Sequence, residues 1–419
     1  MTHRAVDGTS AFRPALKKGL RVMRRDELTL QLGLDPDLAV VLAAPSPAVT
    51  RLVAALDGRA EVSTLARRHG LPVAAVIQVV AELEAAGVLE RGPAGGPAAV
   101  DAPDRHLVGN RGPGSGAGRS VRTLRRVGAA VAEQERRLEP DVTAWALVDP
   151  APGSGRAERN RRAAATVEVV GSDRVGTAVG LLLAASGVGQ IVAGDDRLAR
   201  HADNGAAGLG PVDVGRPRRA GLRRRLAEVA PGARLLDRHP DPALVVVTDG
   251  GVDTDALALL QAAGTPHLVV GVRESRGWVG PLVVPGRTSC PHCHHLARVD
   301  RDPAWALLVD QLAVAARPPL HLSEVAGATA AGPERDTGMP TGKVRGTARS
   351  TPSVEACDGV LATLVASTAV LHTVTWLAGK APPSVDGTVE FRLPDGFGRR
   401  RGWSVHPGCG CSGAPARDR

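Results

Sequence analysis

The chain lacks tyrosine altogether and has three phenylalanines and five tryptophans in 419 residues, so aromatics amount to 2%. Stacking platforms of the kind that hold single-stranded nucleic acid are scarce at that content. Lysine is nearly as rare. Only Lys17, Lys18, Lys343 and Lys380 contribute to the 52 basic residues, and the rest are arginine. With alanine and glycine abundant, the net charge of +9 reads as compositional bias toward arginine, and nucleic acid is not expected as a partner. No run of about 18 apolar residues stands out, so no membrane partner is expected. The N-terminus shows no apolar signal segment, which points to the cytoplasm. Five cysteines in such a protein suggest metal binding or chemistry and not a disulfide framework. What is plentiful is apolar residues, at 43%, enough for two or three domains with buried cores.

Three segments are expected. Residues 1–91 read as a small α+β unit. Leu20–Met23 and Leu28–Leu32 are short strands, Ser46-Pro47 opens a helix through Leu56, Val62–Arg68 and Val73–Ala86 are further helices, and Val88–Glu90 is a closing strand. That order has the shape of a winged helix-turn-helix. Residues 92–120 are rich in Gly and Pro and read as a linker. Residues 121–419 begin with a helix over 121–139. They then alternate strands (167–170, 191–194, 233–236, 244–248, 267–272) with helices (174–186, 217–229, 253–263), the pattern of a mostly parallel α/β sheet. A long loop over 317–350, a long apolar helix region over 353–379 and strands at 389–391 and 403–405 complete the chain.

The first βαβ unit carries Gly171-Ser172-Asp173-Arg174-Val175-Gly176 between strand and helix. A glycine-rich turn at a helix N-terminus is the arrangement that receives phosphate, and an acid after the second strand, here Asp195, takes a ribose hydroxyl. The middle glycine of G-x-G-x-x-G is replaced by Asp173. A carboxylate about 4 Å from a phosphate charge repels it by roughly 4 kcal/mol at an effective dielectric near 20, unless Arg174 compensates.

Cys290-x-x-Cys293 and Cys409-x-Cys411 are two short-spaced pairs far apart in sequence. Together they make a closed, four-thiolate structural zinc site that ties the C-terminal tail to the middle of the domain. The tighter C-x-C half leaves room for His292, His294 or His406 as an alternative ligand. Cys357 stands alone beside Asp358 at a helix start and reads as a small buried residue.

Residues from about 160 to 411 resemble the ThiF/MoeB/ubiquitin-activating superfamily of adenylating enzymes. The resemblance rests on the strand–loop–helix at 167–186, Gly187-Val188-Gly189, Asp195, Gly215-Arg216-Pro217-Arg218, Thr248-Asp249 and both cysteine pairs. It implies a Rossmann-like fold that binds ATP-Mg through Gly171, Gly176, Asp195, Asn204 and Arg218, with Asp249 near the magnesium and the reacting phosphate. The stretch after the ribose acid, Ala202–Ala207, matches the family only at Asn204 and lacks its phosphate-clamping arginine. Arg218 stands where the family has lysine. ATP-Mg is therefore a doubtful cofactor, and the enzyme activity is weak or absent.

A narrower similarity, carried by Gly280–Arg287 and Asp300–Trp305, is to the ThiF-like, leader-peptide-binding partner proteins of azoline-forming cyclodehydratases. Residues 1–91 resemble the PqqD-like peptide-recognition element of that group, through Arg13–Leu16, Leu56-Asp57-Gly58 and Leu83–Leu89. These similarities imply a scaffold that captures a precursor leader peptide by strand addition and docks a YcaO-type catalyst, with a homodimer possible. The alternative is a working adenylyltransferase that activates a C-terminal carboxylate. DNA reading by the first unit is disfavoured because its third helix carries Glu82 and Glu84 and no basic residue.

Overall fold

The computed structural model describes residues 12–17, 20–34, 39–91, 135–149, 151, 153–248, 254–316 and 357–413. The chain divides into two compact units: Met1–Glu139 with Ala304–Gln311, and Pro140–Pro303 with Leu312–Arg419. The 92–120 linker, most of the helix expected over 121–139 and the 317–350 loop lie outside the described residues.

In the first unit, β1 (Pro14–Leu16) pairs antiparallel with β5 (Leu89–Arg91). A separate antiparallel sheet runs in the order β2 (Val22–Arg24), β3 (Thr29–Leu32), β4 (Val40–Ala43). Helices α1 (Pro47–Ala54), α2 (Val62–His69) and α3 (Val73–Ala85) follow. Two of these helix ends have a clear local cause. The Ser46 side chain accepts from Val49 N–H, and Pro47 loses nothing in the first turn, where its missing N–H has no partner to lose. Gly70 closes α2 in the left-handed region at φ +66°. Leu32, Leu52, Val53, Leu65, Val76 and Leu83 are buried in one core.

The second unit opens with α4 (Glu139–Val148) and α5 (Ser154–Ala164), helices that the sequence pattern did not announce. Its eight-stranded sheet has the order β13-β12-β11-β10-β9-β6-β7-β8. The five strands β6 (Thr166–Val170), β7 (Gln190–Val192), β8 (Arg234–Leu236), β9 (Leu244–Val247) and β10 (His267–Arg273) are parallel. Strands β11 (Arg276–Val283), β12 (Gly387–Arg392) and β13 (Arg399–Gly402) extend it as an antiparallel meander. Helices α6 (Arg174–Ala185), α7 (Arg218–Val229) and α8 (Thr254–Ala262) connect the parallel strands, giving a Rossmann-like, mostly parallel α/β architecture. Beyond the meander's first hairpin lie α9 (Pro291–Val299), α10 (Trp305–Ala316) and α11 (Gly359–Leu377).

Two expectations are corrected. The last strand is Arg399–Gly402, not 403–405. Trp403 makes the last ladder bond, its backbone N–H donating to Asp386 O one pair beyond Gly387–Gly402, and it is buried at 5% exposure; Ser404 and Val405 continue without strand pairing. The helix expected from 353 is α11, whose start is fixed by Asp358, which accepts from Val360 and Leu361 N–H. By length and composition α11 could cross a membrane, contrary to the expectation of no such run. Half of it is buried, with Leu361, Val365, Ala366 and Ala369 in the same core as α6 and β10, so it is the central core helix of this unit.

Candidate functional site

The turn after β6 is shaped as the sequence suggests. Gly171 takes φ +104°, and a Cβ on Gly176 would collide with the Gly171 carbonyl and lie 2.8 Å from Thr248 Oγ1. Only glycines let this helix start so close to the strand. The N-terminal amides of α6 are nonetheless already engaged. Asp173 is the N-cap, and its Oδ1 accepts from Val175 N–H at 3.0 Å and Gly176 N–H at 2.8 Å. A carboxylate of the chain holds the donors that a phosphate would use. Arg174 does not compensate toward this spot. Its Nη1 donates to Cys357 O at 2.7 Å, and its Nε is buried without a hydrogen-bond partner among the described residues.

The other nucleotide-site candidates are similarly occupied. Asp195 accepts from Arg197 at both oxygens, from the backbone N–H at 3.1 Å and from Nε at 2.7 Å. Arg218 is 4% exposed and donates through Nε and Nη2 to Asp203 Oδ2, at 3.0 and 2.7 Å; Asp203 is 2% exposed. Asp195 lies 3.8 Å from Arg218 Nη1, so these three side chains do meet, as an internal charge network. Asn204 Oδ1 is buried without a partner among the described residues. Asp249 lies outside the described residues. Sequence reasoning missed Arg197 and Asp203 as the partners of Asp195 and Arg218. The Asp-x-Arg spacing was a local signal for the first, but no local signal marks a pair separated by fifteen residues.

The cysteines converge. Pro291 at the first position of α9 makes Cys290 the N-cap and puts Cys293 one turn in, on the same side. The tail brings Cys409 and Cys411 to them around Gly410, at φ +70°. Sγ separations are 3.8 Å for Cys290–Cys293, 3.5 Å for Cys290–Cys409 and 3.4 Å for Cys293–Cys411, and all four sulfurs lie within 4.8 Å of one another. Tetrahedral Zn–S bonds of about 2.3 Å place sulfurs about 3.8 Å apart, so the donor set fits a single metal ion such as zinc. The histidines have other roles. His406 Nε2 meets Asp300 Oδ2 at 2.9 Å, His294 Nε2 meets Ser289 Oγ at 3.3 Å, and His292 stacks on His295.

Burial pushes the Cys409 thiol up to about 12, with the Cys290 and Cys293 thiols adding to the rise. Cys411 is raised for the same reasons, burial first and then Cys293. At Cys293 burial acts in the same direction, but bonds from the His406 and Cys290 backbone and from the neighbouring thiols overcome it, and the group lies below its ordinary value. Four thiolates cannot share this space without a cation between them.

No protein-family model matches the chain, and no curated protein matches it. Among solved structures it is similar to Escherichia coli MccB, at 11% identity over 97% of this chain and 98% of that chain, with TM-score 0.47. The microcin C7 biosynthetic enzyme MccB in complex with N-formylated MccA gives 12% identity, 95% and 99% coverage and TM-score 0.44. PaaA gives 14% identity, 92% and 99% coverage and TM-score 0.43. These values are too low to carry a function across.

The first unit adds a feature that sequence reasoning missed. Arg24 N–H, on the outer strand β2, donates to Gln311 Oε1 at 2.7 Å, and Gln311 Nε2 donates back to Arg24 O at 2.6 Å. A side-chain amide thus copies the two bonds of an added strand and closes that edge. Strand β4, at the opposite edge, has no such cover among the described residues, and Val41 on it is 49% exposed.

Proposed function

We propose that the chain is a leader-peptide-binding scaffold of ThiF-like fold, serving ribosomal peptide modification beside an ATP-using YcaO-type partner. The observation that carries the reading is the filled phosphate position: Asp173 on the amides of α6. With Arg218 committed to Asp203, both devices for holding a triphosphate serve the fold instead. Residues 1–91 act as a PqqD-like recognition element, and the open β4 edge receives the leader by strand addition. The four cysteines hold a structural zinc that fixes the tail; with four protein ligands it has no open position for substrate.

Binding is tested by titrating a labelled precursor peptide against the full chain. Saturable binding is expected, weakened about tenfold by Val41→Asp on the open edge. ATP–pyrophosphate exchange, run in parallel with candidate peptide acceptors, should stay at background. Exchange that Asp249→Ala abolishes would replace the scaffold with a working adenylyltransferase, and absence of any peptide binding would remove the leader-binding role.

A further inference from the structure

Strand β13 ends the eight-stranded sheet and pairs only with β12 among the described residues. All four of its residues are exposed, and three are arginines. Arg400 is used internally, donating to the carbonyls of Pro383, Val385 and Asp386. Arg399 and Arg401 alternate onto the other face. Beside them, the buried Trp403 gathers cations from two elements. The guanidinium carbons of Arg401 and Arg298 each lie 4.6 Å from its ring centroid, and that of Arg301 lies 5.4 Å away. His294 stacks on the same indole at 4.5 Å, and Trp403 Nε1 is fixed by Thr388 Oγ1 at 3.1 Å.

Charged residues on an edge strand ordinarily keep other chains away. That accounts for Arg399 and Arg401 but not for α9 and the turn after it bringing two more arginines to the same ring. Like charges gathered this closely repel: burial pushes Arg298 down to about 10, Glu390 opposes the fall, and Arg401 and Arg301 add to it. No carboxylate is within ion-pair distance of Arg301 or Arg401 among the described residues. A guanidinium stacked on an indole keeps its in-plane N–H donors free for a carboxylate. Arg301 and Arg401 thus offer pre-oriented donors beside a backbone edge that is unpaired among the described residues.

We propose that the β13 edge, with Arg298, Arg301 and Arg401 around Trp403, is a docking surface for an extended acidic segment of a partner protein, added as a ninth strand with carboxylates at alternate positions. The backbone supplies the strand bonds and the arginine cluster selects the charge. This surface is separate from the β4 edge and does not depend on the leader-binding role.

The test uses the full chain and a fluorescein-labelled eight-residue peptide of alternating Glu and Val, with Lys-Val and alternately N-methylated Glu-Val peptides as controls. Saturable Glu-Val binding is expected, weakened about tenfold in Arg301→Glu/Arg401→Glu, which should gain affinity for the Lys-Val peptide. N-methylation should abolish binding. If the double variant loses its fold, Arg301→Gln, at an exposed position, should still weaken binding about threefold. Equal binding of the N-methylated peptide, or displacement by a single-stranded oligonucleotide at matched charge, would reduce the surface to a generic polyanion patch and overturn the proposal. So would binding unchanged by the arginine substitutions, or no binding at all.

Discussion

The N-termini of α6 and α9 are both built to hold negative charge, and they solve the problem in opposite ways. At α6 the charge comes from within: the Asp173 carboxylate satisfies two amides. At α9 the charge is spread over four sulfurs, three buried and Cys409 half-buried, which burial and mutual repulsion keep from ionising together. The first place is complete as it stands, whereas the second is complete only with a cation. A glycine-rich loop and a pair of cysteine motifs are both signs of ligand binding in a sequence. What separates them is whether the donors still need a guest.

Substitutions at these places can break or sharpen that contrast. The largest effect is expected at the cysteines. The purified protein should carry close to one zinc per chain, and Cys293→Ser should lose it together with more than about 5 kcal/mol of stability, read by denaturant unfolding with metal analysis. A metal-free protein of unchanged stability would erase the contrast. Next comes the internal charge network. Asp203→Ala removes the close partner of the buried Arg218 guanidinium, leaves it only the more distant Asp195, and should cost about 3 kcal/mol. The double change Asp203→Leu/Arg218→Met should cost much less, and equal losses would show that charge is not the cause.

Acid should act on a comparable scale. His267 is 1% exposed, its Nδ1–H donates to Thr265 O, and burial pushes it down to about 4 from an ordinary 6.5. Between those values the unfolded chain binds the proton and the folded one does not. Stability is therefore full above about pH 6.5, falls as the pH drops toward 4 and levels below it, with about 3 kcal/mol at stake. His267→Asn, which keeps an amide donor, should flatten that limb. The smallest effect is expected at the loop itself. Asp173→Gly removes the capping side chain and should cost only about 0.3 kcal/mol, against about 1 for Asp173→Ala, with Asp173→Asn close to neutral. ATP affinity should barely rise in any of them. A large gain would show that the rest of the nucleotide site is intact and that Asp173 alone had closed it.

Much of the second unit was legible in the sequence because its signals are local. The Val-rich strands β6, β9 and β10 alternate with helices whose starts and stops carry recognisable residues, and two tight cysteine spacings survive any uncertainty about the chain between them. Asp173 was legible as a departure from the glycine pattern, but its role as a cap on the α6 amides was not. The missed pieces are those whose causes are distant. Strands β1 and β4 are three and four residues long and exist only because partners at 89–91 and 29–32 accept them. Helix α4 buries no side chain, so it carries no core-facing stripe to read. The Trp403 stack joins residues more than a hundred positions apart, which no spacing rule connects.

Gln311 has a consequence for how this protein can be divided. A unit whose strands are all encoded in the first ninety or so residues is completed by an amide encoded 287 positions beyond Arg24. Cut from the chain at residue 91, the β2-β3-β4 sheet would carry two open edges where the full chain leaves one open among the described residues, and the piece would be prone to assemble with itself. The first unit is therefore not a portable cassette. Any transplant, truncation or recombination that leaves Ala304–Gln311 behind changes what the remaining piece adheres to before it changes what it was chosen to bind.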